Sequence, residues 1–309
     1  MTTGKAPVLN IENLSKDYAK TRALSNINMV LDSPGVYGFL GPNGAGKTTT
    51  FKLICALLKP SQGRILIGGK DVQKDKKSAL SRVGVQFDSP AFYPYLTGSE
   101  NLKLITKWSR TTESTDIEKL LTFAGLREAE SKKVKEYSWG MKQRLGLVSA
   151  LTGSPKLVLL DEPTNGLDPA GIAHVREFLP RLAHEEGRTL FLASHRLEEV
   201  EQVCDKIIII NKGVIVASGK PSELSRGKVI ELVLDDTYLA IKLLKKHTEV
   251  NVITTLSDNK IQLIEPGPEI EEINAILSKH SIVVKEINQK RESLESVFLR
   301  LTKGGTDES

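Results

Sequence analysis

The segment Gly41–Thr48 constrains the fold of this chain more than any other feature of its sequence. It reads Gly-Pro-Asn-Gly-Ala-Gly-Lys-Thr, and it lies between an apolar run that ends at Leu40 and a segment with helical spacing. This pattern predicts a strand, a phosphate-binding loop and a helix, with backbone N–H groups turned toward the phosphates. Lys47 is expected to add a positive charge on the phosphates, and the Thr48 hydroxyl is expected to ligate Mg²⁺. The alternative is a glycine-rich turn with a solvated lysine, which would leave this combination unexplained.

Length and composition limit the size of the fold and the classes of function that the chain can have. The chain has 309 residues, 39% of them hydrophobic, with 43 basic and 38 acidic residues and a net charge of +5. This length accommodates one large core and a smaller one. The mixed charges permit a membrane-surface or nucleic-acid role without indicating one, and we expect no nucleic-acid partner. No apolar run approaches the ~20 residues of a membrane span, and we expect no secretory signal.

Both cysteines lie in apolar segments. Cys55 and Cys204 are therefore predicted to be buried free thiols of a cytoplasmic protein, not a disulfide.

Alternating elements predict an α/β domain over residues 1–224. Two alternating segments, Val8–Leu14 and Ala23–Leu31, predict a small antiparallel β-layer, and later apolar runs alternate with helical segments as in a parallel core sheet. The predicted strands after the loop are Arg64–Ile67, Val83–Val85, Leu157–Leu160, Leu190–Ala193, Ile207–Ile210 and Val214–Ala217. A helical insertion over about 87–155 has predicted helices at Asn101–Trp108, Ile117–Leu126 (with Thr115 as a cap) and Gly140–Leu151.

The pattern changes after Pro221. Residues 225–309 predict a C-terminal accessory domain, ordered to about residue 303, with the element order β-α-β-β-α-β of a small α+β, ferredoxin-like fold. Its predicted elements are strand Val229–Leu234, helix Tyr238–Lys246, strands Val250–Leu256 and Lys260–Ile264, helix Ile270–Lys279, strand Ile282–Ile287 and helix Leu294–Leu301. It contains no catalytic constellation, so an interaction or regulatory role is expected.

Two acids follow a buried apolar strand. Asp161 and Glu162 come directly after Leu157–Leu160, and ligands of parallel sheets gather at the carboxyl ends of strands. We expect Asp161 to contribute to the Mg²⁺ shell and Glu162 to act as general base on an attacking water. The alternative for Asp161 is a helix cap. His195 ends another strand, where an imidazole is placed to contact the terminal phosphate.

Taken together with Tyr137–Leu145, these motifs resemble the ATP-binding cassette family over residues 8 to about 224. The resemblance implies ATP and Mg²⁺ as ligands, and it implies a role for each matching residue. Tyr18 matches the aromatic residue that stacks on adenine, and Gln86 matches the glutamine that reaches Mg²⁺ and the water. The phosphate loop is matched by Gly41, Pro42, Asn43, Gly44, Ala45, Gly46, Lys47, Thr48 and Thr49, and the family signature is matched by Ser138–Gln143. Asp161 and Glu162 match the acid pair, Asp168 matches the dimer-loop aspartate, and His195 matches the switch histidine.

The signature departs from its commonest form. Trp139 stands where glycine is usual and Met141 where glutamine is usual, whereas Ser138 and Gly140 are kept to contact the nucleotide. Trp139 must either point away from the nucleotide or narrow its site. Such variant signatures look like those of bacterial exporters of peptide antibiotics such as bacitracin and lantibiotics.

One chain supplies two half-sites, since in the family the signature of one subunit covers ATP held by the other. The resemblance therefore implies a head-to-tail pair of identical chains that drives a separate integral-membrane permease from the cytoplasmic face of a bacterial membrane. Four aromatic residues after Gln86 predict either core packing of the insertion or a partly exposed pocket for a permease helix. These residues are Phe87, Phe92, Tyr93 and Tyr95.

Two other readings remain open. One is a non-transport cassette ATPase that acts on nucleic acid or in iron–sulfur cluster assembly; the single cassette and the lack of a heptad run between Lys47 and Asp161 disfavour the nucleic-acid form. The other is a GTPase or kinase. Asn211-Lys212-Gly213 is similar to a guanine-reading loop, but Val214 stands where an aspartate is needed, and stacking on Tyr18 favours adenine.

Overall fold

The computed structural model describes residues 6–109, 116–225, 227–248, 252–264 and 269–303. Contacts divide the chain into two compact units, Met1–Lys220 and Pro221–Ser309. The short helix Pro221–Leu224 therefore belongs to the C-terminal unit. Thr115 and residues 250 and 251 of the predicted strand Val250–Leu256 lie outside the described residues.

The N-terminal unit contains two sheets. Its strands are β1 (Leu9–Tyr18), β2 (Thr21–Leu31), β3 (Gly35–Leu40), β4 (Gln62–Ile67), β5 (Lys70–Asp71), β6 (Val83–Gln86), β7 (Leu157–Asp161), β8 (Thr189–Ser194), β9 (Lys206–Asn211) and β10 (Val214–Gly219). The core sheet has the order β10-β9-β3-β8-β7-β6, parallel except for the antiparallel edge strand β10. The antiparallel layer has the order β2-β1-β4-β5. Both predicted sheets are confirmed.

Helices of the N-terminal unit connect these strands or form the helical insertion. They are α1 (Lys47–Ile54), α2 (Lys76–Leu80), α3 (Gly98–Ser109), α4 (Ile117–Phe123), α5 (Trp139–Ser149), α6 (Pro169–His184) and α7 (Leu197–Val203). Phe39 of β3, Phe51 of α1 and Phe191 of β8 are fully buried, and the ring centroids of Phe39 and Phe51 lie 5.3 and 5.2 Å from that of Phe191. These three rings anchor α1 on the sheet, which fixes the loop before α1 at the carboxyl end of β3.

The helical insertion has a core of its own. Leu102 of α3, Leu121 of α4 and Leu145 of α5 are buried together in one apolar cluster. The predicted helix Ile117–Leu126 is shorter in the structure: α4 ends at Phe123, and Gly125 follows at φ 61°, a conformation that ends helices readily. Asp116 caps α4 by accepting a hydrogen bond from the Lys119 backbone N–H.

The C-terminal unit has the predicted element order β-α-β-β-α-β, preceded by α8 (Pro221–Leu224). Its further elements are β11 (Lys228–Leu234), α9 (Thr237–His247), β12 (Val252–Ser257), β13 (Lys260–Ile264), α10 (Ile270–Lys279), β14 (Val284–Arg291) and α11 (Leu294–Lys303). The strands form an antiparallel sheet in the order β12-β13-β11-β14. Apolar residues of α9 and α10, among them Leu244 and Leu277, cover one face of it.

The predicted last strand Ile282–Ile287 is shifted. Strand β14 begins at Val284 and continues to Arg291, because the polar residues after Ile287 pair with β11 as far as Lys228. Among the helices that the structure describes, none is long and apolar enough to cross a membrane.

Candidate nucleotide-binding and hydrolysis site

The phosphate loop lies between β3 and α1, at the carboxyl end of the core sheet. Gly46 has φ 111°, and a Cβ there would lie 2.6 Å from Leu24 Cδ2 and 3.0 Å from the Ala23 carbonyl oxygen. Only glycine tolerates both this conformation and this close approach. The loop borders an open cleft of about 290 Å³, lined by Ala23, Pro42, Asn43, Gly44, Gly46, Lys47, Thr48, Thr49, Asp88, Asp161 and Glu162.

The Lys47 ammonium is positioned inside the loop. Its Nζ donates hydrogen bonds to the carbonyl oxygens of Gly41 (2.7 Å) and Pro42 (3.3 Å) and lies 3.8 Å from Glu162 Oε1. Burial lowers the pKa of Lys47, while the nearby carboxylates of Glu162 and Asp161 oppose that shift. A buried cation held by loop carbonyls is suited to receive phosphate oxygens, which supply negative charge that the carbonyls lack.

Thr48 and Asp161 come together from different parts of the sequence. The Thr48 hydroxyl donates a hydrogen bond of 2.9 Å to Asp161 Oδ2, while Asp161 Oδ1 is buried and has no hydrogen-bond partner among the described residues. Burial raises the pKa of this carboxyl above its ordinary value. An unpartnered buried carboxylate oxygen beside a hydroxyl fits a hard divalent cation such as Mg²⁺.

No set of protein ligands completes such a site alone. Within the described ranges, no group of three or more His, Cys, Asp or Glu side chains is arranged to hold a metal ion. This agrees with the usual Mg²⁺ pattern, in which one or two protein oxygens combine with waters and substrate phosphates.

Glu162 and His195 form a pair at the same edge of the sheet. Glu162 Oε2 lies 3.0 Å from His195 Nδ1, and the Glu162 backbone N–H donates to the Ala193 carbonyl at the end of β8. Glu162 has φ 52°, which is unusual for a residue with a side chain. Such local strain is typical of functional positions, and here it accompanies a carboxylate that borders the cleft.

The predicted Mg²⁺ contact of Gln86 stays a prediction. Gln86 is buried at the end of β6, where its Nε2 donates a 2.7 Å hydrogen bond to Gln143 Oε1 of the signature helix α5. Its Oε1 has no hydrogen-bond partner among the described residues. In this structure Asp88, two residues later, borders the cleft in its place. The only sequence signal for Asp88 was its position just beyond a strand end.

Tyr18 lies at the tip of the β1–β2 hairpin and does not line the cleft. It is largely exposed, and Lys16 Nζ lies 5.2 Å from its ring centroid. Ala23 of β2 does line the cleft, so the antiparallel layer contributes one wall. Adenine stacking on Tyr18 stays a prediction.

The signature residues lie at the start of α5, away from this cleft. Ser138 caps the helix, its hydroxyl accepting a hydrogen bond from the Met141 N–H at 3.2 Å. Ser138 and Gly140 do not line the cleft. Asp168 caps α6 by accepting a hydrogen bond from the Gly171 N–H at 3.1 Å. Trp139 packs against Gly166, in the loop before Asp168.

The aromatic segment after Gln86 divides into two groups. Phe87 and Phe92 are partly buried against the two apolar cores, as the core-packing alternative predicts. Tyr93 and Tyr95 are exposed, Tyr95 to 71%, and the Tyr93 ring lies edge-on to that of exposed Trp108. The exposed aromatic patch, defined here as Tyr93, Tyr95 and Trp108, is therefore a surface and not an enclosed pocket.

Both cysteines are buried free thiols, as predicted. Burial raises the pKa of Cys55 to about 12 and that of Cys204 well above its ordinary range.

Comparison with known proteins gives a consistent result. The family model described as ABC transporter matches residues 24–165. The bacitracin transport ATP-binding protein BcrA of Enterococcus faecalis is 37% identical over 300 residues, which cover 96% of this chain and 97% of that protein. The lantibiotic transport ATP-binding protein SrtF of Streptococcus pyogenes is 41% identical over 68% of this chain and 89% of its own length.

Solved structures match about 70% of the chain. The ATP-binding subunit of an ABC transporter superposes with a TM-score of 0.64 at 29% identity, covering 70% of this chain and 91% of that chain. The dimeric structure of MJ0796, a bacterial ABC transporter cassette, has a TM-score of 0.63 at 25% identity and covers 69% and 98%.

Proposed function

The chain belongs to the ATP-binding cassette transporter family, and on that premise we propose that it hydrolyses ATP as a head-to-tail dimer to drive a separate bacterial permease. The cargo we propose is an antibiotic, peptide or drug-like molecule that is exported. The bacitracin and lantibiotic transport names of relatives such as BcrA and SrtF support this class.

One observation carries the ATPase part of the proposal: Lys47, Thr48, Asp161 and Glu162 converge on one open cleft at the carboxyl edge of the sheet, and His195 contacts Glu162 there. Phosphoryl transfer needs positioning and charge compensation more than covalent chemistry. Lys47 supplies the positive charge. Bound Mg²⁺, held by Thr48 and Asp161 with Gln86 as a further ligand, would neutralise charge on the phosphates.

Glu162 is the proposed general base. Its carboxylate borders the cleft and is only slightly exposed, and contact with His195 restricts its orientation. A carboxylate held at the cleft edge is positioned to accept a proton from water as that water attacks the terminal phosphate. His195 is proposed to contact the terminal phosphate from the end of β8, so the same pair binds the substrate and activates the nucleophile.

The dimer follows from the separation of the two motifs. Ser138 and Gly140 do not line the cleft of their own chain, so the signature is available to a nucleotide held elsewhere. A two-fold axis that brings each signature over the partner's phosphate loop completes two sites with one chain type. The dimeric cassette MJ0796 supports this arrangement for a protein of the same fold.

We place the permease contact on the exposed aromatic patch. Large exposed aromatic side chains are enriched at protein interfaces, and Tyr93 follows the segment that includes Gln86 and Asp88. A permease helix docked there would sense changes at the cleft edge. The chain would then be peripheral, at the cytoplasmic face of the membrane.

Substitution of the proposed base tests the ATPase mechanism. Glu162→Gln keeps the side-chain size but cannot accept the proton, so we expect ATP affinity to stay within a few-fold while kcat falls by about 10²–10⁴-fold. Glu201→Gln, the same change on the exposed face of α7, is the matched control. Near-wild-type turnover by Glu162→Gln would remove Glu162 as the base.

Substitution in the aromatic patch tests the permease contact. Tyr95→Ser should reduce co-purification with the permease from detergent-solubilised membranes while leaving ATP affinity unchanged. Tyr238→Ser, which removes an equally exposed tyrosine from the C-terminal unit, is the control. If both variants retain the permease equally well, the patch is not the contact. Failure of the wild-type chain to bind any integral-membrane protein would favour a non-transport ATPase.

A further inference from the structure

The Trp139 indole packs on the loop that follows the acid pair. A Cβ at Gly166 would overlap Cδ1 and Nε1 of Trp139, so the Cδ1–Nε1 edge of the ring occupies the space that a side chain at Gly166 would need. Gly166 has φ 73°, a conformation that favours glycine independently. Next to this contact, the Gly166 carbonyl oxygen would lie at an ordinary contact distance of 3.5 Å from a Cβ at Gly140. The start of the signature helix and this loop are thus in direct contact within one chain.

The loop from Glu162 to Asp168 is compact and is held by turns. The Asn165 N–H donates to the Glu162 carbonyl (3.1 Å), and the Leu167 N–H donates to the Thr164 carbonyl (3.1 Å). These successive turns restrict the movement of Gly166 relative to Glu162. The Thr164 hydroxyl, in addition, is hydrogen-bonded to the buried carboxylate of Glu199, which ties the loop to α7.

A second connection runs from the same loop toward Gln86. Asn165 Nδ2 donates to Asp88 Oδ1 (2.9 Å), and Gln143 Nε2 donates to the Asp88 carbonyl (2.5 Å). Gln143 lies on α5, the helix that begins at Trp139. The signature helix therefore contacts the acid loop directly through Trp139 and indirectly through Asp88.

We propose that Trp139 is a positioning residue that couples the two nucleotide sites of the dimer. In a head-to-tail pair, the signature of one chain faces ATP bound by its partner, while Glu162 of that same chain acts in its own site. When the signature contacts the partner's nucleotide, a shift of α5 would move the Trp139 indole and, with it, Gly166. The short loop would then move Glu162. This inference rests on the proposed dimer.

The chemistry of the indole suits this role. It is large and rigid, with few rotatable bonds, so it transmits a displacement with little loss. Trp139 is 48% exposed, so part of the ring remains available at the surface that would face the partner. Glycine at this position would leave a gap beside Gly166, and the indirect connection through Asp88 would remain as a link between the two segments.

Steady-state kinetics of the full chain with its permease test the coupling. The wild type is expected to depend cooperatively on ATP, with a Hill coefficient between about 1.5 and the limit of about 2 set by two sites. Trp139→Gly is expected to lower the Hill coefficient to about 1. The same variant should reduce kcat roughly 10- to 100-fold, because Glu162 is no longer held in its catalytic position. Trp139→Phe retains a flat apolar contact and should restore most of both quantities.

A double-mutant cycle isolates the contact. Gly166→Ala in the wild-type background forces the indole away and should reduce kcat by at least about tenfold. In the Trp139→Gly background the new methyl group fills empty space, so the additional loss should be several-fold smaller. Equal effects of Gly166→Ala in both backgrounds would show that the indole contact carries no coupling.

Tryptophan fluorescence tests the premise that Trp139 faces the partner subunit in the ATP-bound dimer; an unchanged emission maximum would remove Trp139 from that interface and overturn the proposal. The chain has two tryptophans, so Trp108→Phe leaves Trp139 as the single fluorophore, and Trp139→Phe leaves Trp108. In a Glu162→Gln background with Mg²⁺ and ATP and without permease, emission of the first variant should shift to shorter wavelength, and that of the second should not.

The outcomes separate the two proposals. Absence of an ATP-dependent dimer in the wild type would overturn the proposed function. An ATP-dependent dimer in which wild type and Trp139→Gly share the same Hill coefficient would leave that function intact and overturn the coupling role of Trp139.

Discussion

Asp161→Asn should make the nucleotide-free protein more stable and the nucleotide-bound protein less stable than the wild type. In the free chain, Asp161 is almost completely buried and only one of its carboxylate oxygens has a hydrogen-bond partner, the Thr48 hydroxyl. Leaving a buried polar group unpaired costs about 1–3 kcal/mol and more when the group is charged, so the carboxylate costs more than the neutral amide that would replace it. Lys47 offsets part of this cost, so a net gain of about 1 kcal/mol is expected when asparagine removes the charge.

The predicted change in Tm caused by Asp161→Asn has opposite signs without and with Mg²⁺–ATP. A gain of about 1 kcal/mol raises the Tm by roughly 2–4 °C for a unit of this size. At Mg²⁺–ATP concentrations near 100 times Kd, ligand binding stabilises the wild type by about 2.7 kcal/mol. The variant lacks the negatively charged oxygen that would face the cation and should gain much less, so the order of the two Tm values reverses.

Differential scanning calorimetry with and without Mg²⁺–ATP measures both shifts. Asp258→Asn, an exposed position in the C-terminal unit, controls for the chemical change itself. Because burial raises the pKa of Asp161 in the folded state, its destabilising charge is present above that raised pKa and is lost as pH falls through it. The difference in Tm between the nucleotide-free variant and the nucleotide-free wild type should therefore become smaller as the pH is lowered. A variant less stable than the wild type without nucleotide, or one equally stabilised by Mg²⁺–ATP, would refute the reasoning.

Three further predictions concern single side chains. Lys47→Ala should weaken ATP binding by about 2–5 kcal/mol in titration calorimetry, since phosphate charge is left uncompensated; an unchanged Kd would contradict the loop assignment. His195→Ala should reduce kcat by about 10²-fold with a smaller effect on KM, because a group facing the developing charge is lost; unchanged kcat would exclude that contact. Cys55 and Cys204 should resist a thiol reagent at pH 8 until the protein is unfolded, since burial raises both thiol pKa values; rapid labelling of the native chain would show that one is accessible.

The hydrolysis elements were readable from sequence because their signals are local. Gly46 and Lys47 belong to one short loop motif, and Asp161 and Glu162 directly follow an apolar strand. Parallel-sheet topology then brings strand ends together without further information. The element order of the C-terminal unit was readable for the same reason, since each segment carried its own periodicity.

The missed features depend on long-range contacts or weak local patterns. Helix α2 is too short for periodicity to reveal it, although Asp75 caps it by accepting a hydrogen bond from the Ser78 N–H. The polar end of β14 is held by backbone pairing with β11, which side-chain patterning does not report. Asp88 borders the cleft, and Trp139 meets Gly166, only because α5 and the acid loop converge in three dimensions.

Solution scattering on the Glu162→Gln variant bound to its permease tests the central claim most directly. With saturating ATP and Mg²⁺, the two cassettes should close into one compact dimer, and without nucleotide they should separate. Distances between the cassettes that stay the same in both conditions would contradict the account.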